Sequence, residues 1–363
     1  MSIWNWADRY SPTVDPGFQV TLGEGQTACV RSRRIGPALG IKHLYFKLES
    51  TNPSGSYKDR FAALAVSHML QRNQRTCIAT SSGNTGAALA AYCAAAGIRC
   101  QIAVVESAPL AKLQQMMAYG AEIEKVRGFG IDAEINSQVF DRLHQLADGP
   151  ECELQISAYR LSPLGMQGVE SIAFEIQAQL ATLDRSVDHV FCPAGGGGLT
   201  LATARGFLKT SARPAVHCVQ PQGNDTIASP LRNRSDRATD VQCTTSISGL
   251  QVASVIDGHD VIAACTASGG TGHTVSDAET FEVQKRMARE EGIFCEPAGA
   301  VSLAGALNAV RNGEFDPESS VVCIVSGSGF KDAASVERMN QHCDGEHAGC
   351  RLVDVDNLFQ PPL

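Results

Sequence analysis

The feature that most constrains this chain is a regular alternation of short apolar runs with longer segments of helical periodicity. Apolar runs at 77–80, 100–105, 122–126, 187–192, 215–219 and 321–325 predict strands, and 85–96, 108–119, 133–146 and 199–208 predict helices. Strands that alternate with helices in this way form parallel sheets with crossover helices. The sequence therefore predicts an α/β protein, whose ligand-binding loops follow the carboxyl ends of strands.

Size and composition limit the function classes. A chain of 363 residues suits two lobes that share a cleft, and the net charge of -8 argues against a nucleic acid or an anionic membrane as partner. The first ten residues lack the pattern of a signal peptide, and no apolar run approaches a membrane span. The 13 cysteines are odd in number and lie mostly in apolar runs, which favours reduced thiols. We expect a cytoplasmic protein.

A lysine follows the first apolar run, at 43–49. The stretch Asn52–Arg60 reads NPSGSYKDR, so a turn separates this strand from a helix that has Lys58 in its first turn. The positive end of the helix dipole favours the neutral form of the amine there, and a neutral amine can form an imine with an aldehyde. The alternative is a solvated surface lysine.

Two further loops lie between a predicted strand and a predicted helix. Residues 80–86 (TSSGNTG) offer hydroxyls, an amide and free N–H groups, which can bind a carboxylate or phosphate or can simply cap the helix. Gly195, Gly196, Gly197 and Gly198 allow several N–H groups to face one phosphate. Their spacing fits neither a dinucleotide fingerprint nor a Walker loop. The remaining possibility is a cofactor that has a single phosphate and needs a lysine.

Together these loops resemble the fold-type II, or tryptophan synthase β, family of pyridoxal-phosphate enzymes, and the motifs match in order from about Leu48 to Asp332. The resemblance implies two lobes of twisted, mainly parallel sheet with flanking helices and pyridoxal 5'-phosphate in the cleft. Residues 1–50 and 157–340 would form a large cofactor-phosphate domain, 51–156 a small mobile substrate-carboxylate domain, and 341–363 a C-terminal extension. A homodimer is also implied.

The resemblance assigns roles to these residues. Lys58 would hold the cofactor covalently, and Asn84 would bind its phenolic oxygen. The substrate carboxylate would bind to Ser82, Gly83, Asn84 and Thr85, and the cofactor phosphate to Gly195–Gly198. Ser326, at the end of the last apolar run, would lie beside the pyridine nitrogen, because the family places a hydroxyl or thiol there. Glu296 would lie near the ring or act only as a carboxylate at a helix start.

Within this family the chain most resembles the threonine synthases, which convert O-phosphohomoserine and water to threonine and phosphate. Arg160 and Arg60 are then candidate partners of the substrate phosphate, or else members of structural ion pairs. Glu170, however, stands where the family has a basic residue, and it would repel a phosphorylated substrate if it lined the site. The SGNTG loop is closer to the cysteine synthases, and the GGGGL loop to serine and threonine dehydratases. The alternatives are therefore reactions on another amino acid: a β-replacement (cysteine- or cysteate-synthase-like) reaction, or a serine or threonine ammonia-lyase reaction.

Three other expectations follow. His273 is predicted to be a surface histidine rather than a substrate ligand. The His342–Cys350 segment contains zinc-ligand types without a standard spacing, so no metal is expected. A binding module without chemistry would have lost the lysine or the glycine loop, and both are intact.

Overall fold

The computed structural model describes residues 2–340 and Val355. The strands are β1 Cys29–Arg31, β2 His43–Leu48, β3 Thr76–Thr80, β4 Arg99–Val105, β5 Glu122–Val126, β6 Cys152–Gln155, β7 His189–Pro193, β8 Ala215–Pro221, β9 Gly272–Val275 and β10 Ser320–Val325. The helices are α1 Ile35–Ala38, α2 Lys58–Gln71, α3 Asn84–Ala96, α4 Leu110–Ala118, α5 Ala133–Ala147, α6 Pro163–Ala181, α7 Gly198–Leu208, α8 Ala228–Arg232, α9 Gly258–Ser268, α10 Asp277–Glu291, α11 Pro297–Arg311 and α12 Ala333–Asn340.

The strands form two sheets. One has six strands in the order β1-β2-β10-β7-β8-β9, and all its pairs are parallel except β1 with β2. The other has four strands in the order β5-β4-β3-β6, all parallel. The predicted α/β fold class is confirmed. The domain boundaries given above stay a prediction.

The four inner strands of the six-stranded sheet, β2, β10, β7 and β8, are buried on both faces. Every residue of β10 is buried, and β2 and β8 are nearly so. Helices cover both faces of a parallel sheet, so its central strands read as continuous apolar runs. This burial explains why the sequence pattern located these strands.

Helix α2 connects β2 of the six-stranded sheet to β3 of the four-stranded sheet, and it packs against α6 and α3. Eleven of its fourteen residues are buried, from Asp59 to Met69. A helix that is buried on most sides holds its first turn in a fixed position. The first residue of α2 is Lys58. None of the described helices is long and apolar enough to cross a bilayer.

Candidate active site

The loop before α2 fixes the position of Lys58. The Asp59 carboxylate accepts hydrogen bonds from the Ser54 backbone N–H (3.0 Å) and the Ser54 hydroxyl (2.8 Å), which closes the turn on itself. Burial raises the pKa of Asp59 to about 6. The backbone N–H of Tyr57 donates to the carbonyl of Ser326 (3.0 Å), so the same turn is tied to the end of β10. Lys58 and Ser326 are thereby brought to one place.

The amine of Lys58 is joined to the loop at the start of α3 through Ser157. Lys58 Nζ donates to Ser157 Oγ at 2.7 Å, and Ser157 Oγ lies 2.8 Å from Thr85 Oγ1. Ser157 follows β6, in a segment that links it to α6. Sequence reasoning did not single out Ser157. The signal that could have found it is its place directly after a strand, although that strand is too short and polar to be predicted.

The loop at residues 81–86 presents a helix N-terminus toward the same place. Among residues 2–340, no protein atom accepts a hydrogen bond from the N–H groups of Asn84 and Thr85. The N–H of Gly83 donates to the Ser81 hydroxyl (3.2 Å). Free N–H groups at a helix N-terminus bind carboxylates well.

Asn84 is held by a buried carboxylate from the six-stranded half of the molecule. Its Nδ2 donates to Glu296 Oε1 at 2.9 Å. Burial raises the pKa of Glu296 to about 7, although the nearby Lys331 ammonium and the Asn84 amide act in the opposite direction. A Cβ on Gly327 would collide with Glu296 Oε1, so only glycine allows this approach. Sequence reasoning placed Glu296 near the ring or at a helix start, and it does stand at the start of α11.

The four glycines form the turn between β7 and α7. Throughout the described part of the chain, no protein atom accepts a hydrogen bond from the N–H groups of Gly195 to Gly198. Gly197 has a φ of 93°, which favours glycine, and a Cβ on Gly195 would lie 3.0 Å from Val252. Unpaired N–H groups at a helix start, without side chains, suit a phosphate.

Asp257 anchors the segment that carries Arg160. Its carboxylate accepts hydrogen bonds from the N–H groups of Tyr159 (2.9 Å) and Arg160 (3.0 Å), and burial raises its pKa. The Arg160 side chain is exposed. It makes no hydrogen bond or ion pair with any described residue, so its guanidinium is available to an anion.

Glu170 does not present an uncompensated charge. The Tyr159 hydroxyl donates to its Oε1 at 2.7 Å, and Lys209 Nζ lies 2.6 Å from its Oε2. The side chain is buried under α7. The expected repulsion of a phosphorylated substrate is therefore weakened by a neighbouring cation.

Arg60 is a member of a structural ion-pair network, which is one of the two roles that the sequence left open for it. Its side chain is fully buried and pairs with Glu49 (2.7 Å) and with Glu175. Lys47 also pairs with Glu175 (2.6 Å), so two cations and two carboxylates balance each other. The guanidinium has no donor left for a substrate.

His273 is also placed differently from expectation. It is 4% exposed, on β9, rather than at the surface. Its Nε2 lies 3.2 Å from His217 Nδ1, and His217 Nε2 lies 3.1 Å from His189 Nδ1. The three rings form a chain across neighbouring strands. The histidines and cysteines at 342–350 lie outside the described residues.

A model of the family described as pyridoxal-phosphate dependent enzyme matches residues 20–327. The chain belongs to this family. Its cofactor is pyridoxal phosphate, and the unpaired N–H groups of the glycine loop and the hydrogen-bonded amine of Lys58 suit that molecule. The predicted family and cofactor are confirmed.

Curated proteins that are similar to this chain include several threonine synthases. Threonine synthase from Methanocaldococcus jannaschii is 33% identical and covers 95% of this chain and 85% of that protein. Threonine synthase from Halalkalibacterium halodurans is 30% identical and covers 89% of this chain and 88% of that protein.

Solved structures of other proteins have the same fold as this chain. Maize serine racemase has a TM-score of 0.71 at 22% identity and covers 87% of this chain and 92% of that one. The processed form of threonine deaminase isoform 2 from Solanum lycopersicum has a TM-score of 0.69 at 20% identity, over 86% of this chain and 87% of that one. At these identities the likeness concerns the fold alone.

Proposed function

We propose that this pyridoxal-phosphate enzyme acts as a threonine synthase, which converts O-phosphohomoserine and water to threonine and phosphate. The main support for this proposal is the chain of hydrogen bonds from Lys58 through Ser157 to Thr85. It sets one amine and two hydroxyls side by side, next to the free N–H groups at the start of α3. The curated relatives named threonine synthase, which match over most of the chain, support the same activity.

The residues that would hold the cofactor come from both sheets. Lys58 would carry it, Gly195–Gly198 would bind its phosphate, Asn84 would donate to its phenolic oxygen with its second N–H, and Ser326 would lie beside its ring nitrogen. When bound, the cofactor withdraws electrons from the substrate Cα and so makes the Cα proton removable. A hydroxyl at Ser326 leaves the ring nitrogen without a strong acid, which favours elimination and replacement over transamination.

Lys58 is the group that would move protons. Once its amine is free, it can take a proton at Cα and return one at the neighbouring carbons. Ser157 is uncharged, and its hydroxyl orients the Lys58 amine by accepting a hydrogen bond from it. Thr85 in turn orients the Ser157 hydroxyl through a second hydrogen bond. The N–H groups of Asn84 and Thr85, with Ser82 and Gly83, would bind the substrate carboxylate and so hold Cα within reach of the amine.

Arg160 would bind the substrate phosphate. Its backbone is fixed by Asp257, and its exposed guanidinium makes no ion pair with the described residues. A guanidinium binds a phosphate through two parallel hydrogen bonds. Because Lys209 compensates Glu170, that carboxylate does not prevent such a substrate from approaching.

A substrate panel tests the proposal. The cofactor-loaded protein is incubated with O-phosphohomoserine, O-phosphoserine, O-acetylserine, serine or threonine, and phosphate, acetate, ammonia and keto acid are measured. We expect phosphate and threonine from the first compound. Lys58→Ala should lose both this activity and the visible absorbance of the lysine-bound cofactor, and Lys125→Ala, at an exposed strand residue, should keep both.

The panel also decides between the proposed function and its alternatives. Ammonia and keto acid from serine or threonine, without threonine from O-phosphohomoserine, would assign an ammonia-lyase. The four-glycine loop is the feature that favours this second function. Acetate from O-acetylserine in the presence of a thiol would assign a β-replacement enzyme instead.

We also propose that the enzyme is a cytoplasmic homodimer. All eleven cysteines in the described part of the chain are free thiols, as a reducing compartment requires. The dimer rests on resemblance to the family. Sedimentation of the purified chain at micromolar concentration should give about twice the mass of 38.5 kDa.

A further inference from the structure

Three cysteines meet on one face of the four-stranded sheet. Cys77 on β3 and Cys100 on β4 are cross-strand neighbours in the parallel ladder. Cys93 lies on α3, which covers this face of the sheet. The three sulfur atoms all lie within 4.8 Å of one another. We call this group the thiol cluster.

The thiol cluster is enclosed by apolar neighbours. Cys77 and Cys93 are 0% exposed and Cys100 is 6% exposed, and none of them forms a disulfide. The neighbouring thiols lower the pKa of Cys100, and the same proximity raises the pKa of Cys77 and of Cys93. Cys100 is the least buried residue of the cluster.

The number of ligands selects the kind of ion. Structural zinc sites are four-coordinate, and no fourth histidine, cysteine or carboxylate joins the thiol cluster among the described residues. Thiolates prefer soft ions. Among these, Cu(I) is stable with two or three sulfur ligands and needs no water to complete its coordination.

We propose that Cys77, Cys93 and Cys100 form a binding site for Cu(I). Binding creates sulfur–copper bonds, and each S–H bond that breaks releases one proton to solvent. No electron is transferred, because the ion enters as Cu(I). The site is separate from the proposed catalytic centre, since Cys93 lies nine residues after Asn84 on the same helix, about 14 Å away at 1.5 Å per residue.

Single buried cysteines elsewhere behave as small apolar residues, and they provide the comparison. Cys265 on α9 is equally buried but belongs to no group of three sulfur atoms at ligand distance in the part of the chain that the structure describes. A buried thiol alone therefore does not make a site. The close approach of three sulfur atoms distinguishes the thiol cluster.

A competition titration tests this site without using catalysis. The reduced, cofactor-loaded protein is titrated with Cu(I) against bicinchoninate, and X-ray absorption at the copper edge counts the sulfur neighbours. We expect one Cu(I) per chain with three sulfur neighbours in wild type and in Cys265→Ser. Cys93→Ser and Cys100→Ser should bind Cu(I) at least tenfold more weakly.

The variants must be folded for the comparison to count. The visible absorbance of the bound cofactor reports folding, and Cys100→Ser, at the least buried residue of the cluster, serves if Cys93→Ser does not fold. The proposal would be wrong if the wild-type protein bound Cu(I) no more tightly than Cys100→Ser does. So would copper with fewer than two sulfur neighbours, or a preference for Zn²⁺ over Cu(I) at the same site.

Discussion

Ser157 is the side chain that sets the direction of the Lys58 amine. Their hydrogen bond is 2.7 Å long. A hydrogen bond typically contributes about 0.5–1.5 kcal/mol, so we expect Ser157→Ala to lower kcat by about 2- to 10-fold. Steady-state kinetics with O-phosphohomoserine measure this, and Ser211→Ala, at an exposed serine, is the control. Unchanged kcat in Ser157→Ala would show that the amine is oriented by other groups.

Glu296 carries a stability cost that depends on pH. Its folded pKa, about 7, lies above the ordinary value of 4.5, so the folded protein binds a proton more tightly than the unfolded chain does. Stability is therefore lost as pH rises from 4.5 through 7. We expect Glu296→Gln, which keeps an acceptor for Asn84, to be more stable than wild type at pH 8 by about 3 kcal/mol.

Urea unfolding of both proteins at pH 5 and pH 8 measures this difference. The gain should be small at pH 5, where the wild-type carboxyl is already protonated in the folded state. Glu124→Gln, at an exposed residue of β5, controls for the loss of a carboxylate. Equal gains at both pH values would mean that Glu296 does not titrate near 7.

The roles of single residues were the hardest to predict from the sequence. Arg60 was left open between a phosphate partner and a structural ion pair, and His273 was predicted to lie at the surface, where it is in fact buried. Burial decides their role, and burial depends on distant partners: Glu49 and Glu175 for Arg60, and His217 for His273. These partners lie 11 to 115 residues away from the side chain they contact, so no local pattern identifies them.

Helix α2 is joined to β2 and α6 by buried ion pairs. Arg60 on α2 binds Glu49 after β2 and Glu175 on α6. Removing one member of such a group leaves uncompensated buried charges, so we expect Arg60→Met to lower the free energy of unfolding by about 3–5 kcal/mol. Arg72→Met removes a partly exposed pair with Glu153 and should cost less than about 1 kcal/mol.

Urea unfolding followed by circular dichroism measures both variants. Arg60 would regain a role in substrate binding if Arg60→Met were as stable as wild type and bound O-phosphohomoserine more weakly. A large loss of stability in Arg72→Met as well would mean that exposed pairs contribute more here than in other proteins.

The histidine chain across β7, β8 and β9 predicts acid sensitivity of the six-stranded sheet. Burial lowers the pKa of all three rings, that of His273 to about 4. Arg232 lowers the pKa of His217 and His273 further, and Glu314 raises that of His273. The unfolded chain therefore binds protons first, so stability is complete above pH 6.5 and is lost as pH falls toward 4.

We expect wild type to lose on the order of 2–3 kcal/mol of stability from this chain between pH 7 and pH 4. His273→Asn, whose amide can still bond to His217, should lose less over the same interval. His144→Asn, at an exposed histidine on α5, should follow wild type. Unfolding at a series of pH values measures the three curves, and parallel curves for wild type and His273→Asn would contradict the prediction.

The elements that sequence reasoning located are those with a strong local pattern. Strand β5 was predicted within its observed bounds, and the helix over 199–208 starts one residue earlier, at Gly198. Strands β1 and β9 were missed because they have three and four residues at the edges of the sheet and lack an apolar run. Helix α6 was missed because its buried face carries Glu170 and Glu175, whose partners are distant.

Polar contacts connect segments that flank the two sheets. Lys331, after β10, donates to Gln115 on α4 at 2.6 Å, and Gln115 donates to the carbonyl of Ser54 at 3.0 Å. Asn84 and Glu296 make a second contact of this kind. The sequence predicted the loops that meet here because each follows a strand. It did not predict which side chains join, because that depends on how the two sheets face each other.

The Lys331–Gln115 contact predicts how closure affects catalysis. If the two halves separate between turnovers, this bond stabilises the closed form by about 1.5 kcal/mol, which is roughly a tenfold change in its population. We therefore expect Gln115→Ala to raise KM for O-phosphohomoserine by about tenfold, with a smaller change in kcat. Gln138→Ala, on the exposed surface of α5, is the matched control. Equal KM values in the two variants would mean that closure does not depend on this bond, whereas an equal loss of kcat and of cofactor binding would place Gln115 in the reaction itself.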